Sequence, residues 1–345
     1  MGRLKSILLR VVSYRQAENV KTVLSVIIFY SGIAFFLSLF LRKGASILLY
    51  HSVGSTGVFQ DNVVREEVFR EQIAFLRKKY TVVPLTEIMD HLQFGRRIPS
   101  TWVAITFDDG YRDNVETALP ILKEEGMMAT FYPTVEVVEN GEPFFYDMIH
   151  AIVQKSVKPE INVKIKGWEK TFPLRNAQDK EDAILRIVLE IRKERPEKRQ
   201  EFVESLRGVC AVEGNIKDTL KGIYMTKSHV IELEKNGMEI GSHTLTHPNL
   251  PTLTEDELTQ EIEKSKRWLE TFLRKSVKGF SYPFGKRHNF NDQVLSNVRK
   301  AGYAYAVSTE YGKVHENTDL YELPRIGVRN ASLCRLKVNL LGIPL

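Results

Sequence analysis

Asp108 and Asp109 stand side by side in AITFDDGY (104–111), at the end of an apolar run. Adjacent carboxylates repel, so the pair needs a compensating charge. A dication would neutralise one and leave the other ionised beside it, ready to take a proton. SHTLTHP (242–248) supplies two imidazoles four residues apart, His243 and His247. Two neutral imidazoles and one carboxylate leave an open position on a divalent ion, as a catalytic site needs. The segment is not the H-E-x-x-H helix of metalloproteases. It lacks the glutamate and contains Pro248, so it reads as a loop. Plainer readings exist for the same residues: Asp-Asp-Gly as an ordinary Asx turn, and the histidines as turn residues bonded to backbone.

These groups need a scaffold that brings distant positions together. SILLYHS (46–52), WVAITFDD (102–109), MATFYPT (128–134), MEIGSH (238–243), VKGFSYPFG (277–285), YAYAVST (303–309) and YELPRIGV (321–328) read as strands. Helical spacing marks Glu66–Tyr80, Leu85–Leu92, Asp113–Glu125, Thr226–Asn236 and Asp292–Ala301. Thr254 and Glu257 form a capping box ahead of an inward face of Leu258, Ile262, Ser265, Leu269 and Phe272. Alternating strands and helices predict an α/β barrel of parallel strands, whose carboxyl ends form the active face. His51, Asp108–Asp109, His243 with His247, and Tyr282–Gly285 would then converge. Residues 140–225 break the rhythm and read as a largely helical insertion, either a packed lid or a separate small domain.

With 345 residues and 43% hydrophobic composition, the chain can form one large domain or two small ones. Its net charge of +6 is local. Arg3, Lys5, Arg10, Arg15, Lys21, Arg42 and Lys43 face only Glu18 within residues 1–43, and the remainder is neutral. A neutral body offers no attraction to a polyanion, so no nucleic-acid partner is expected. Cys210 and Cys334 form no C-x-x-C pair and no metal spacing.

Residues 1–22 read as a basic amphipathic segment suited to a membrane surface, with Leu4, Ile7, Leu8 and Val11 at helical spacing. Val23–Leu41 carries no charge over 19 residues, near the minimum for a membrane-spanning helix. An N-terminal membrane helix is the expectation. A non-crossing interfacial helix or hairpin and a cleaved signal peptide are its rivals. Five basic residues before the span and two after it orient the N-terminus to the cytoplasm. The catalytic domain of this cell-membrane protein would then be extracytoplasmic.

TFDDGY, SHTLTHPNL and YPFG together, in this order, resemble the signatures of carbohydrate esterase family 4, the polysaccharide deacetylases with a NodB-homology domain. The resemblance covers roughly residues 46–135 and 226–330. It implies a distorted (β/α)7 barrel, placed here at 46–335 with the insertion at about 140–225. It also implies a divalent metal, Zn2+ foremost, with Co2+, Ni2+ or Mn2+ as alternatives, and hydrolysis of N-acetyl or O-acetyl groups on sugars. Carried over by position, Asp108 is the general base, and Asp109, His243 and His247 are the metal ligands. The Phe284 backbone N–H is an oxyanion donor. LLYHSV standing first resembles the circularly permuted branch with the poly-N-acetylglucosamine deacetylases, which makes His51 the acid. Two departures stand out. Ser281 occupies the place where the family often has the arginine that orients the base, and the usual Asp-Trp motif is not evident. Arg325 in LPRIGV is a candidate for the missing charge.

The expected activity is thus metal-dependent deacetylation of a cell-surface glycan. One alternative is a deacetylase or deformylase of a lipid-linked sugar at the membrane. Another is a sugar-binding module on a dead scaffold.

Overall fold

Apolar runs buried on both faces make parallel strands. Ser46–Tyr50 (β1) is buried at every residue, and Trp102–Asp109 (β2) at all but the first. In the computed structural model, which describes residues 14–31, 43–54, 63–328 and 333–344, these two strands pair in parallel from Ser46↔Val103 to Tyr50↔Phe107. Thr130–Pro133 (β3), Glu239–Ile240 (β4), Gly279–Ser281 (β5), Tyr305–Val307 (β6) and Ile326–Gly327 (β7) follow in chain order. One ladder runs β7-β1-β2-β3-β4, and β5 pairs with β6. Single parallel bridges, Ser242↔Phe280 and Val307↔Leu323, join the two pieces into a closed seven-stranded ring. The ring is distorted because four of its strands are only two or three residues long. YELPRIGV, for instance, contributes only the bridge at Leu323 and β7. Glycine makes room inside the ring. A Cβ at Gly241 would overlap the Tyr132 ring, and one at Gly279 would overlap Tyr305.

Helices pack around the ring. The anticipated capping box at Thr254 and Glu257 opens helix Glu255–Leu273. The stretch expected as helix Asp113–Glu125 instead starts with a wide turn, Asn114–Ala118, before the α-helix Leu119–Glu124. That turn carries Asn114, whose Nδ2 donates to the His51 carbonyl at 2.6 Å and pins the exit of β1.

The insertion is helical in Phe145–Lys155, Ala177–Ile191, Pro196–Val209 and Ile216–Thr219, but not throughout. Glu160–Ile165 and Trp168–Pro173 form an antiparallel hairpin. Period-two alternation explains it: Ile161 and Val163 point inward, while Glu160 and Asn162 face solvent. Gly167, second of the two turn residues, takes a positive φ of +72°, which favours glycine. The insertion has its own apolar cluster, including Ile149, Ile152, Ile184, Ile187 and Leu206. Cys210 and Cys334 are both free.

At the N-terminus, one helix, Tyr14–Tyr30, runs through the anticipated boundary at residue 22. It packs against the C-terminal helix Leu333–Leu340. Among the described residues no helix is long and apolar enough to cross a membrane. Seventeen residues rise only about 26 Å, and they include Arg15, Glu18 and Lys21. The membrane-spanning helix expected at Val23–Leu41 is therefore not supported, and its positions 32–41 lie outside the described residues.

Candidate active site

Strand register assembles the site. Tyr50 lies opposite Phe107, so the next residue along each strand brings His51 beside Asp108. Asp109 pairs with Pro133, and the Pro133 carbonyl accepts from the His243 N–H at 3.3 Å. Asp109 and His243 thus sit at one level of the ring, two strands apart. His247 follows after a loop anchored by Glu261, a residue sequence reasoning missed. Its carboxylate accepts from the Leu245 N–H at 3.0 Å, the Thr246 N–H at 2.9 Å and the Thr246 hydroxyl at 2.8 Å.

Asp109, His243 and His247 are all buried, and one ligand atom from each lies within 4.8 Å of the others. Asp109 Oδ1 stands 3.4 Å from His243 Nε2 and 3.6 Å from His247 Nε2. His243 Nδ1 is 2.8 Å from the Ser281 carbonyl, which fixes its proton there and leaves the Nε2 lone pair toward Asp109. His247 Nδ1 is buried with no hydrogen-bond partner among the described residues. Burial, reinforced by His243, pushes His247 down to about 3, so its ring is a neutral donor. Burial opposes charge on His243 too, but Asp108 and Asp109 outweigh it and raise its pKa. Two imidazoles and a carboxylate, all buried and with one ligand atom of each within 4.8 Å of the others, fit a divalent cation with room for a reactant.

Asp108 is held differently. Arg325, with no solvent exposure, grips it bidentately: Nη1 to Oδ1 at 2.8 Å and Nη2 to Oδ2 at 2.6 Å. Arg325 Nη2 also donates to Ser281 Oγ at 3.0 Å, and that hydroxyl donates to Asp108 Oδ2 at 2.9 Å. Ser281 and the late Arg325 thus both bond Asp108 and each other. Burial alone would raise the Asp108 pKa, but Arg325 and His243 overcome it and lower it. Gly110, at φ +95°, permits the tight turn, where a Cβ would crowd Pro133 at 3.2 Å.

His51 is half-buried. Burial lowers its pKa despite the upward pull of Asp109 and Asp108, whose charges reach it. Phe284 sits at φ +60°, and its N–H makes no hydrogen bond among the described residues. Asp109, Thr244, His247 and Phe284 are four of only six described non-glycine residues with positive φ, at +74°, +68°, +59° and +60°. Strained backbone is concentrated at this rim, as it is at functional sites generally.

The insertion reaches the same place. The Tyr146 hydroxyl donates to Asp109 Oδ2 at 3.0 Å. Phe144 and Phe284 pack against the His247 ring at 5.1 and 4.9 Å between centroids. The Arg199 guanidinium lies 4.9 Å from the Phe145 ring and 5.6 Å from the Phe284 ring. Nothing in FFYDMI hints at a role for Tyr146, because it becomes visible only once the insertion folds back over β2.

A parallel α/β barrel with a two-histidine, one-aspartate cluster at its carboxyl rim is the architecture of a metal-dependent hydrolase. The sequence profile of the polysaccharide deacetylases matches residues 96–189 and 207–306, more than half of the chain, and the protein belongs to that family. YxkH of Bacillus subtilis (strain 168), a protein ascribed to the polysaccharide deacetylases, is 23% identical over 82% of this chain and 70% of its own length. The poly-β-1,6-N-acetyl-D-glucosamine N-deacetylase of Staphylococcus aureus (strain MRSA252) is 32% identical, over 32% of this chain and 37% of its own. In fold, the chain resembles the Streptococcus pyogenes deacetylase PplD, with a TM-score of 0.57 and 19% identity over 88% of this chain and 98% of that one. IcaB from Ammonifex degensii gives 0.55 and 16% over 87% and 97%. The family hydrolyses amide-linked acetyl groups and depends on a divalent metal, for which Asp109, His243 and His247 are the candidate ligands.

Proposed function

We propose that this protein removes N-acetyl groups from a cell-surface polysaccharide, with Asp108 as general base and His51 as general acid. The observation that carries this reading is the split of the aspartate pair. Asp109 turns toward the two imidazoles, while Asp108 is held ionised and oriented by Arg325. A bound divalent ion, Zn2+ foremost, would polarise the acyl carbonyl and acidify water. Asp108 takes a proton from the attacking water. The Phe284 N–H donates to the oxyanion that develops on the former carbonyl oxygen. His51 delivers a proton to the departing sugar amine, which cannot leave as an anion. The likeness to a poly-N-acetylglucosamine deacetylase supports a β-linked N-acetylglucosamine polymer as substrate.

Acetate release from an acetylated glucosamine oligosaccharide by zinc-loaded protein tests the reading, with formate release as the second arm. Release of neither would leave only a sugar-binding module. His51→Ala should lose about 10²–10⁴-fold on the amide but little on 4-nitrophenyl acetate, whose leaving group needs no proton. Equal losses on both substrates would remove His51 from the role of acid.

A second reading, action on a lipid-linked sugar, draws on the N-terminal helix. Val20, Val23, Leu24 and Ile27 lie at helical spacing and are 55%, 58%, 42% and 53% exposed. We read this stripe as an interfacial contact that holds the barrel at the cell membrane, with the catalytic domain extracytoplasmic. The protein should co-float with phosphatidylglycerol vesicles, and Val23→Glu with Ile27→Glu should not. A parent that stays in solution would end the membrane reading.

A further inference from the structure

The turn that carries both aspartates is fastened to the insertion at three levels. Tyr111, two residues beyond Asp109, bridges antiparallel to Tyr224, the residue where the insertion returns to the barrel. The Arg112 N–H donates to the Ile223 carbonyl at 2.9 Å, and the Met225 N–H to the Gly110 carbonyl at 2.8 Å. Beside this bridge lies Asp147, which has no solvent exposure and accepts from the Tyr111 hydroxyl at 3.0 Å and from the Tyr224 hydroxyl. Its neighbour Tyr146 donates to Asp109 Oδ2 at 3.0 Å.

This arrangement divides the labour of the Asp109 carboxylate. Oδ1 faces both imidazoles, at 3.4 and 3.6 Å, and Oδ2 faces the tyrosine. A carboxylate with one oxygen engaged by a donor is held to the other oxygen as ligand. Without that donor it can rotate and swing toward the adjacent space. Outer-layer hydrogen bonds of this kind typically set metal affinity by about 10–100-fold.

We propose that the insertion is the outer layer of the metal site, and that Tyr146 is a positioning residue which fixes Asp109 for metal binding. The inference rests on the reading of Asp109, His243 and His247 as ligands, but not on the identity of the substrate. The Tyr111–Asp147–Tyr224 cluster holds the start of helix Phe145–Lys155 and the end of the insertion against the aspartate turn. Metal occupancy and order in the insertion are therefore coupled, because Tyr146 links the two.

Two measurements on the full chain test this. In competition with a chromophoric chelator, Tyr146→Phe should bind Zn2+ about 10–100-fold more weakly than the parent. Its metal-free melting temperature should fall only modestly, since the ring still packs and a single hydrogen bond is lost. Hydrogen exchange should show that Zn2+ protects residues 144–155 in the parent and does so much less in Tyr146→Phe. Parental zinc affinity in Tyr146→Phe would overturn the proposal, as would zinc protection that ignores the substitution. Failure of the parent to bind Zn2+, Co2+, Ni2+ or Mn2+ would overturn it together with the metal site. A parent that binds zinc with these signatures and deacetylates nothing would defeat the proposed activity and leave the inference standing.

Discussion

Asp108→Asn should lose at least about 10²–10⁴-fold in kcat while zinc binds with near-parental affinity. The two carboxylates are adjacent in sequence but separate in role. Asp109 faces the imidazoles, and Asp108 faces Arg325 and Ser281. An amide of the same shape at position 108 keeps the packing but cannot accept a proton from water. Because Asp109 is untouched, metal stoichiometry should remain one per chain, and substrate affinity should change little. Parallel measurement of kcat and bound zinc decides the matter. A mutant that loses zinc would show that Asp108 is a ligand, and a mutant that still turns over would place the base elsewhere.

Arg325→Met should produce the largest loss of stability, about 3–5 kcal/mol. The guanidinium and its carboxylate partner are both buried, at 0% and 2% side-chain exposure. Removal of the arginine leaves Asp108 with Ser281 as its main remaining hydroxyl donor and no opposite charge in direct contact. It also leaves without a donor the Ser308 carbonyl, to which Arg325 Nε donates at 2.7 Å, although that oxygen can seek others. The bare carboxylate must then protonate or draw in water, and either response spoils a base. Denaturant unfolding of the metal-free protein reads the stability, and acetate release reads the activity. Parental stability together with parental turnover would mean that the ion pair supports neither the fold nor the base.

The chemistry was more legible than the geometry that frames it. The aspartate pair and the two histidines have residue types that few environments tolerate, and the structure brings Asp109, His243 and His247 within 4.8 Å. Arg325 became a candidate because Ser281 left a charge missing, and the two now share Asp108. Strand lengths were less readable, since the same apolar run serves a long strand or a short one with a bridge. The hairpin at 160–173 carried a period-two signal that the surrounding charge obscured. Tyr146 and Glu261 had no local signature, because each acts on a partner far along the chain. The charge-free length of the N-terminal apolar run points to a spanning helix, whereas the described helix begins at Tyr14 and includes charged residues.

The four left-handed residues at the rim bear on how this barrel can change. Glycine would relax the backbone at each of Asp109, Thr244, His247 and Phe284, where a side chain costs about 1–2 kcal/mol. At Asp109 and His247 that relief would delete a ligand. At Thr244 it would delete the hydroxyl that accepts from the His247 N–H at 3.0 Å. At Phe284 it would remove the ring beside His247. A common route to a sturdier protein is therefore closed along this edge, and any gain in robustness must be sought on the far side of the barrel.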